Sequence, residues 1–277
     1  MKTPIEKFND LLSEPILMGI TNVTPDSFSE KGKYFDSDFA IEHSLQLMND
    51  GADIIDIGAE STRPNADSIS EEEELKRIVP VVKGLLSESP SAFISIDTTK
   101  SKIAEECIKV GAQMLNDISA GTFDERIFFV AAKYEVPIVL MHTRGSPKTM
   151  QNNTHYENIV SEIIEFLSKR IERAVSEGVK KIIIDPGIGF AKSLEDNYRI
   201  INQLEKFILL GYPIMIGVSR KSLIGNILNI PPIERDYSSK LLEFYSLLKG
   251  VSIIRTHNIK LAFEMKQIYS AIIKNNV

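Results

Sequence analysis

The sequence predicts an α/β protein with a single (β/α)8 barrel, and three observations favour this fold class. Eight short, β-rich apolar runs alternate with longer segments of helical periodicity. The runs are nearly continuous in apolar residues, which is typical of parallel strands that helices cover on both faces. Eight such units in about 250 residues suit a closed barrel. A doubly wound open sheet is the main alternative, and the count of eight favours the barrel.

The predicted strands follow one another in order, each with a helical segment after it. They occupy residues 15–22, 52–60, 93–99, 113–119, 137–143, 181–187, 213–219 and 251–257. A glycine closes a helical pattern ahead of four of these strands, as helix-ending glycines do: Gly51, Gly111, Gly178 and Gly250. Residues 1–12 are expected to form a short segment over the barrel floor. No linker divides the chain, so residues 1–277 are expected to form one domain.

The composition and net charge argue against several classes of protein. The chain has 277 residues and a net charge of −6, which argues against a nucleic-acid partner. Cys107 is the only cysteine, so intramolecular disulfides and thiolate metal clusters are impossible, and its helical context predicts that it packs in the core. No basic-then-apolar signal opens the sequence and no apolar run approaches the ~18 residues of a membrane span. We therefore expect no membrane association and a cytoplasmic, reducing compartment.

Polar side chains collect where the predicted strands end. If the barrel forms, these positions surround one mouth, where barrel enzymes hold their active sites. Capping of helices would explain any single Asp, Asn or Ser, but it does not explain histidine, lysine and arginine at the same level. One concave polar site accounts better for the whole set: Asn22, Glu60, Asp97, Asn116, Asp117, His142, Asp185, 219–221, Arg255 and His257.

The charged and polar residues of this set form two groups, which are expected to lie at opposite ends of one pocket. Strands three, four and six supply acceptors suited to a ligand rich in N–H donors, namely Asp97, Asn116 and Asp185. Strands eight and one and the loop after strand two supply Arg255, His257, Asn22 and Arg63. Two arginines and a histidine indicate an anion site, most simply for phosphate. The sequence thus predicts carboxylates at one end and cations at the other.

Eight motifs resemble those of the dihydropteroate synthase family, in the expected order from Met18 to Asn258. They are "NVTPDSFS", "DIGAESTRP", "SIDTTK", "LNDISAG", "MHTRGSPKTMQ", "DPGIGF", "GVSRKS" and "RTHN". The family joins a dihydropterin pyrophosphate to p-aminobenzoate on a (β/α)8 barrel, within folate synthesis. The resemblance therefore implies a transferase that forms a C–N bond and releases pyrophosphate.

The resemblance also implies roles for individual residues. Asp97, Asn116, Asp185 and Lys221 would hold the pterin, with Arg255 flat over its ring; Lys221, Arg255 and Asp97 would serve catalysis. Thr62, Arg63 and His257 would bind the substrate around its pyrophosphate, and Mg2+ would bridge the pyrophosphate to Asn22.

For the second substrate, the resemblance implies that the "TPDSFS" segment closes over the mouth. Phe28, Pro64 and Phe190 would then pack around p-aminobenzoate, and Ser222 would bind its carboxylate. The family is a sulfonamide target and forms homodimers, here through the segment from Tyr237 to Lys249. The chain departs from the family pattern at Glu30, Lys31, Asn65 and Thr143.

Two other functions remain open from the residues. A methyltransferase domain that binds methyltetrahydrofolate would share the pterin acceptors but needs no pyrophosphate site, so Arg63, Arg255 and His257 argue against it. A non-catalytic pterin-binding protein would be expected to lose Asn22, Lys221 or His257, and all three are present.

Overall fold

A computed structural model describes residues 2–24, 37–60, 68–145, 149–150 and 154–274, and in these residues eight parallel strands form the predicted barrel. Each strand lies inside one of the predicted runs, so the fold class is confirmed. The strands are β1 (Ile16–Asn22), β2 (Ile54–Gly58), β3 (Ile94–Asp97), β4 (Met114–Asp117), β5 (Ile138–Met141), β6 (Ile182–Asp185), β7 (Met215–Ile216) and β8 (Ile253–Thr256).

Helices precede and follow the strands. They are α1 (Pro4–Leu11), α2 (Ser37–Asn49), α3 (Glu71–Glu88), α4 (Ser101–Lys109), α5 (Arg126–Tyr134), α6 (Ile159–Ser176), α7 (Leu194–Asn202), α8 (Ser222–Leu228), α9 (Asp236–Leu248) and α10 (Ile259–Lys274). Two 3-10 helices, Leu204–Leu210 and Pro232–Glu234, lie before β7 and before α9. The four glycines predicted to end helices all have left-handed φ values between +90° and +117°. None of the helices described is long and apolar enough to cross a membrane.

The strands close on themselves. Hydrogen-bonded neighbours run in the order β6-β5-β4-β3-β2-β1-β8-β7. A parallel bridge between Ile184 and Ile214 joins the two ends, with the Ile184 N–H donating to the Pro213 carbonyl at 3.0 Å. All the carboxyl ends of the strands therefore meet at one mouth, as the sequence pattern requires.

The interior of the barrel has an apolar lower layer. Each strand or its leading residue contributes side chains to this layer: Ile16, Met18, Ile54, Phe93, Met114, Val139, Ile183, Met215 and Ile253. Phe8 of α1 is fully buried beneath them, with its ring centroid 6.4 Å from that of Phe93. The predicted leading segment therefore does close the floor, which leaves the mouth as the open end.

A second and larger apolar layer lies between the strands and the helices. Isoleucines alternate outward along the strands, as Ile55 and Ile57 do on β2, and pack against helix residues such as Val81 and Leu85 of α3. Cys107 of α4 is fully buried in this layer, which confirms that it packs.

Candidate active site

A largely buried arginine, 20% exposed, lies at the mouth of the barrel. Arg255 of β8 donates from Nε to Oδ2 of Asp56 at 2.7 Å and from Nη2 to Oδ2 of Asp97 at 2.8 Å. Asn116 of β4 donates to the same Asp56 oxygen at 2.9 Å. Two strands, β2 and β3, thus supply the partners of the guanidinium, and Asn116 of β4 supports one of them. These side chains form a polar layer directly above the apolar interior.

This polar layer keeps acceptors available. Oδ1 of Asp56 and Oδ1 of Asn116 are buried, and no described residue donates to them. Burial raises the pKa of Asp97 above that of an ordinary aspartate, and the Arg255 guanidinium opposes the rise. Because a buried acceptor without a donor is unfavourable, these oxygens favour a ligand that brings N–H groups into the mouth.

Asp185 and Lys221 face each other across the ends of β6 and β7. Oδ1 of Asp185 accepts the Gly187 N–H at 2.7 Å, so its second oxygen is left for a ligand. Lys221 donates to the Ile188 carbonyl, and its Nζ lies 4.7 Å from the centroid of the Phe190 ring. Burial lowers the pKa of Lys221 to about 8, although Asp185 favours its charged form.

The loop after β6 is held from beneath by a second buried lysine. Nζ of Lys192 lies 2.8 Å from the Phe190 carbonyl, 3.3 Å from the His142 carbonyl and 3.1 Å from His142 Nδ1. The Gly189 N–H donates to Asn197 of α7 at 2.6 Å. These bonds fix the backbone that carries Asp185 and Phe190.

His257 directly follows β8, and its surroundings disfavour the charged form. Burial, with help from Arg220 and Arg255, lowers its pKa to about 3, which favours the neutral imidazole. Oγ of Ser219 accepts the His257 backbone N–H at 3.3 Å and lies 3.0 Å from Nδ1. The Ser219 hydroxyl and Nδ1 of His257 therefore share a hydrogen bond whose direction depends on the imidazole tautomer.

The remaining predicted residues fall into two groups. Asn22 ends β1, half-buried, and Ser222 begins α8, exposed, beside a polar groove that Asn197 and Asn226 also line. Phe28, Thr62, Arg63 and Pro64, together with Glu30, Lys31 and Asn65, lie outside the described residues.

The sequence missed Asp56, and three polar residues at strand ends have other partners. Glu60 binds Lys100, which also bonds to Glu74 and to the Ile69 carbonyl. Asp117 accepts from Ser119 and Gly121 and so shapes a turn, whereas His142 contacts Lys192 as described above.

The predicted separation of charges is also wrong in part. Arg255, expected at the cationic end, is paired with Asp56 and Asp97 among the acceptors. The alternation of β2 could have revealed Asp56, since it lies two residues from Gly58 on the side opposite Ile55 and Ile57.

Comparisons with known proteins agree on one family. The family model described as "Pterin binding enzyme" matches residues 18–257. The dihydropteroate synthase of Haemophilus influenzae is 41% identical over 262 residues, which cover 94% of either chain.

Solved structures agree with this result. The dihydropteroate synthase of Yersinia pestis in a sulfonamide drug complex superposes with a TM-score of 0.90 at 39% identity, covering 95% of this chain and 96% of that one. The Xanthomonas albilineans dihydropteroate synthase with 4-aminobenzoic acid gives 0.89 at 35% identity, covering 96% and 95%. The latter enzyme was also solved with 7,8-dihydropteroate.

We predict that Gly187→Ala disables the acceptor Asp185. Gly187 has φ +72°, and an added Cβ would lie 2.0 Å from the His142 carbonyl oxygen, so the backbone that donates to Asp185 must move. Affinity for a dihydropterin should fall at least about tenfold, or ~1.4 kcal/mol, in calorimetry. Gly211→Ala is the matched control: its φ is +79°, but nothing lies within 4 Å of its Cβ. Both variants should lose about 1 kcal/mol of stability from the left-handed backbone; equal dihydropterin affinities would contradict the prediction.

We predict that dihydropterin affinity declines as the pH rises through about 8, because the Lys221 ammonium then loses its proton. The pKa is lowered, so the charged donor is present below that pH and absent above it. Calorimetric titrations between pH 6 and 9.5, a range of ~3.5 units around this pKa, should show the break. Lys221→Met should bind the dihydropterin more weakly and show no break. A break that persists in this variant would assign the titration to another group.

Proposed function

The chain belongs to the pterin-binding enzyme family as a dihydropteroate synthase, and we propose how its own residues carry out that reaction. The amine nitrogen of p-aminobenzoate bonds to the exocyclic carbon of 6-hydroxymethyl-dihydropterin pyrophosphate. The bond from that carbon to the pyrophosphate oxygen breaks, its electron pair leaves with pyrophosphate, and the amine releases a proton. The products are 7,8-dihydropteroate and pyrophosphate. The observation that carries the proposal is the layer of acceptors around Arg255, with Lys221 beside it.

The pterin is held by complementary hydrogen bonds at the barrel mouth. The second oxygen of Asp185 and Oδ1 of Asn116 accept N–H groups of the aminopyrimidine, while the Lys221 ammonium donates to its acceptor side. Asp97 keeps Arg255 in place and accepts from the ring system. Arg255 lies against the pterin face, where a planar guanidinium stacks well.

The leaving pyrophosphate is stabilised by donors at the ends of β8 and β1. Arg255 and His257 face the growing negative charge. By resemblance to the family, Thr62 and Arg63, which lie outside the described residues, contribute to the same site. An electron-rich pterin stabilises the cation that develops at the exocyclic carbon, so no general base is assigned. The weakly basic amine attacks once the second substrate is seated.

Asn22 suits a Mg2+ ion that the substrate itself helps to bind. Among the described residues no cluster of three His, Cys, Asp or Glu could hold a metal. One amide oxygen at the end of β1 does fit Mg2+, which takes few protein ligands when phosphates supply the rest. When bound, the ion would neutralise charge on the pyrophosphate.

The second substrate occupies the outer part of the mouth. Phe190, with Phe28 and Pro64, packs on the p-aminobenzoate ring, and the hydroxyl of Ser222 binds its carboxylate. The same position takes sulfonamides, in keeping with the drug complex of the Yersinia pestis relative.

The alternatives are less well supported. A methyltetrahydrofolate-binding methyltransferase would leave the donors at His257 and Arg255 without a pyrophosphate. A non-catalytic binder would be expected to lose Asn22, Lys221 or His257, and all three are present. The curated relatives are named dihydropteroate synthase, which also favours the enzyme.

Pyrophosphate release is the decisive assay. We predict release only when both substrates and Mg2+ are present, and a loss of more than about tenfold in turnover for Lys221→Ala, since a charged hydrogen bond is worth ~1.5–3 kcal/mol. Lys180→Ala is a suitable control because it removes an exposed lysine that pairs with Glu135. Release that ignores p-aminobenzoate would contradict the proposed reaction, and normal turnover in folded Lys221→Ala would contradict the role of Lys221.

We also predict that p-aminobenzoate binds well only after the pterin end is filled. Phe190 and Ser222 alone offer one wall and one anchor, and a bound pterin pyrophosphate supplies a further surface for the ring. Calorimetry should show higher p-aminobenzoate affinity in protein saturated with a pterin, pyrophosphate and Mg2+ than in free protein, and EDTA should reverse the gain. Equal affinities in the two states would mean that the site is preformed.

The homodimer is proposed to form through α9. Its outer face is apolar at spacings of four and seven residues: Tyr237, Leu241 and Leu248 are 72%, 60% and 51% exposed. We predict that Leu241→Glu converts a dimer into a monomer in sedimentation velocity. Phe129→Glu, at a residue 54% exposed on α5, should leave the dimer unchanged. A wild-type monomer would refute this interface.

The compartment is proposed to be the reducing cytoplasm. Cys107 is the only cysteine and is buried, so the fold makes no use of an intramolecular disulfide. Subcellular fractionation tests this location.

A further inference from the structure

The ends of β7 and β8 are held together by side chains rather than by a long ladder. β7 contains two residues, and its pairing with β8 ends at Ile216 and Ile254. The groups proposed to contact both substrates follow that point, at Lys221 and Ser222 on one side and at His257 on the other. Their spacing therefore depends on contacts beyond the ladder.

A carboxylate from α9 spans the two strand ends. Asp236, the first residue of α9, accepts from Arg220 Nε at 2.6 Å and from Arg220 Nη2 at 2.7 Å. Its Oδ2 also accepts from Asn258 Nδ2 at 3.0 Å. Arg220 directly precedes Lys221, and Asn258 directly follows His257. One carboxylate thus joins the neighbours of both functional groups.

The pair formed by Asp236 and Arg220 has the bidentate geometry that holds two side chains in a fixed orientation. The Asp236 and Arg220 side chains are 18% and 31% exposed, and two parallel N–H donors meet two oxygens. The backbone of Arg220 is left-handed, with φ +60°, an unfavourable conformation for a residue with a side chain. Its N–H donates to Ser239 of α9 at 3.1 Å, and its carbonyl accepts from Arg235 at 3.0 Å. The start of α9 therefore holds Arg220 by backbone and side chain together.

The rest of α9 also presents polar side chains to the barrel. Its inward face carries the buried polar residues Ser239, Lys240, Glu243 and Ser246, an unusual set for a helix packed on a barrel. Lys240 donates to Thr256 Oγ1 at 2.6 Å and to Glu243 at 2.7 Å. Thr256 directly precedes His257, so α9 is bonded to the residues on both sides of that histidine.

We propose that Asp236 is a positioning residue that sets the distance between the Lys221–Ser222 end and His257. The proposal rests on the proposed function, in which His257 binds the pyrophosphate. A ligand that reaches both strand ends requires their donors at fixed separations. Without the bridge, the ends of β7 and β8 would keep only the Ser219–His257 contact between their side chains among the residues described above.

Asp236→Asn tests the proposal through binding of the first substrate. The measured quantity is the pyrophosphate increment, the ratio of affinities for 6-hydroxymethyl-dihydropterin pyrophosphate and 6-hydroxymethyl-dihydropterin, with Mg2+ and without p-aminobenzoate. We expect the increment to fall about fivefold or more, the order of one displaced hydrogen bond, while affinity for the unphosphorylated pterin stays unchanged. The double variant Asp236→Asn/Asn258→Asp exchanges the carboxylate and the amide that meet at 3.0 Å, so it keeps the bond between the two positions and should restore the increment.

Two further measurements distinguish a positioning role of Asp236 from a general loss of stability. Glu177→Gln breaks the pair between Arg173 of α6 and Glu177, which directly follows that helix, with an N–O distance of 2.7 Å; it should change neither affinity. NMR of the His257 imidazole should show altered ring signals in Asp236→Asn and wild-type signals in the double variant.

The results that would overturn the positioning role of Asp236 differ from those that would overturn the proposed function. An unchanged increment with unchanged His257 signals would overturn the proposal, as would an equal loss of affinity for both pterins. If the wild type made no dihydropteroate, the proposed function would fail, whereas the His257 signals would still support or overturn the bridge.

Discussion

The site is organised around the need to neutralise one buried cation. Arg255 projects into the barrel from β8, and its charge is balanced by Asp56 and Asp97. Loss of one partner of such a buried pair typically costs about 3–5 kcal/mol, because the other charge is left without compensation. Asn116 supports the arrangement by donating to Asp56. The acceptors at the mouth are therefore fixed before any ligand arrives, and an incoming heterocycle meets oxygens whose positions a cation already determines.

The interior of the barrel changes along its axis from an apolar layer that stabilises the fold to a polar layer that forms the site. The lower layer is apolar and closed by Phe8, whereas the polar layer begins at the next inward-facing positions along several of the same strands. Met114 and Asn116 on β4, or Ile183 and Asp185 on β6, show the change within two residues. Because alternate strand residues point inward, a single register places both layers. The apolar floor keeps water out from beneath, so polar groups above it interact in a medium of low dielectric constant.

Much of this arrangement could be predicted from the sequence, for physical reasons that also explain the errors. Strands and helix ends leave local signals, namely continuous apolar runs and left-handed glycines, and all eight strands were predicted. The gathering of Asp97, Asn116, Asp185, Lys221 and Arg255 follows from parallel topology alone. Asp56 was missed because it lies inside a strand rather than at its end. The direction of Arg255 was missed because a long side chain crosses from β8 over β1 to reach β2 and β3, which no local pattern records. The neutral state of His257 depends on burial, which is likewise a property of the folded chain.

The buried state of Cys107 has a practical consequence for following the enzyme in motion. Burial raises the pKa of this thiol to about 12, so at neutral pH it is neither ionised nor accessible to reagents. Two cysteines introduced at surface positions would then be the only nucleophilic thiols in the molecule. Maleimide dyes or nitroxide spin labels could be attached there without first mutating the native residue. Distances across the mouth could thus be recorded by fluorescence transfer or electron resonance during turnover, in a chain that otherwise keeps its natural sequence.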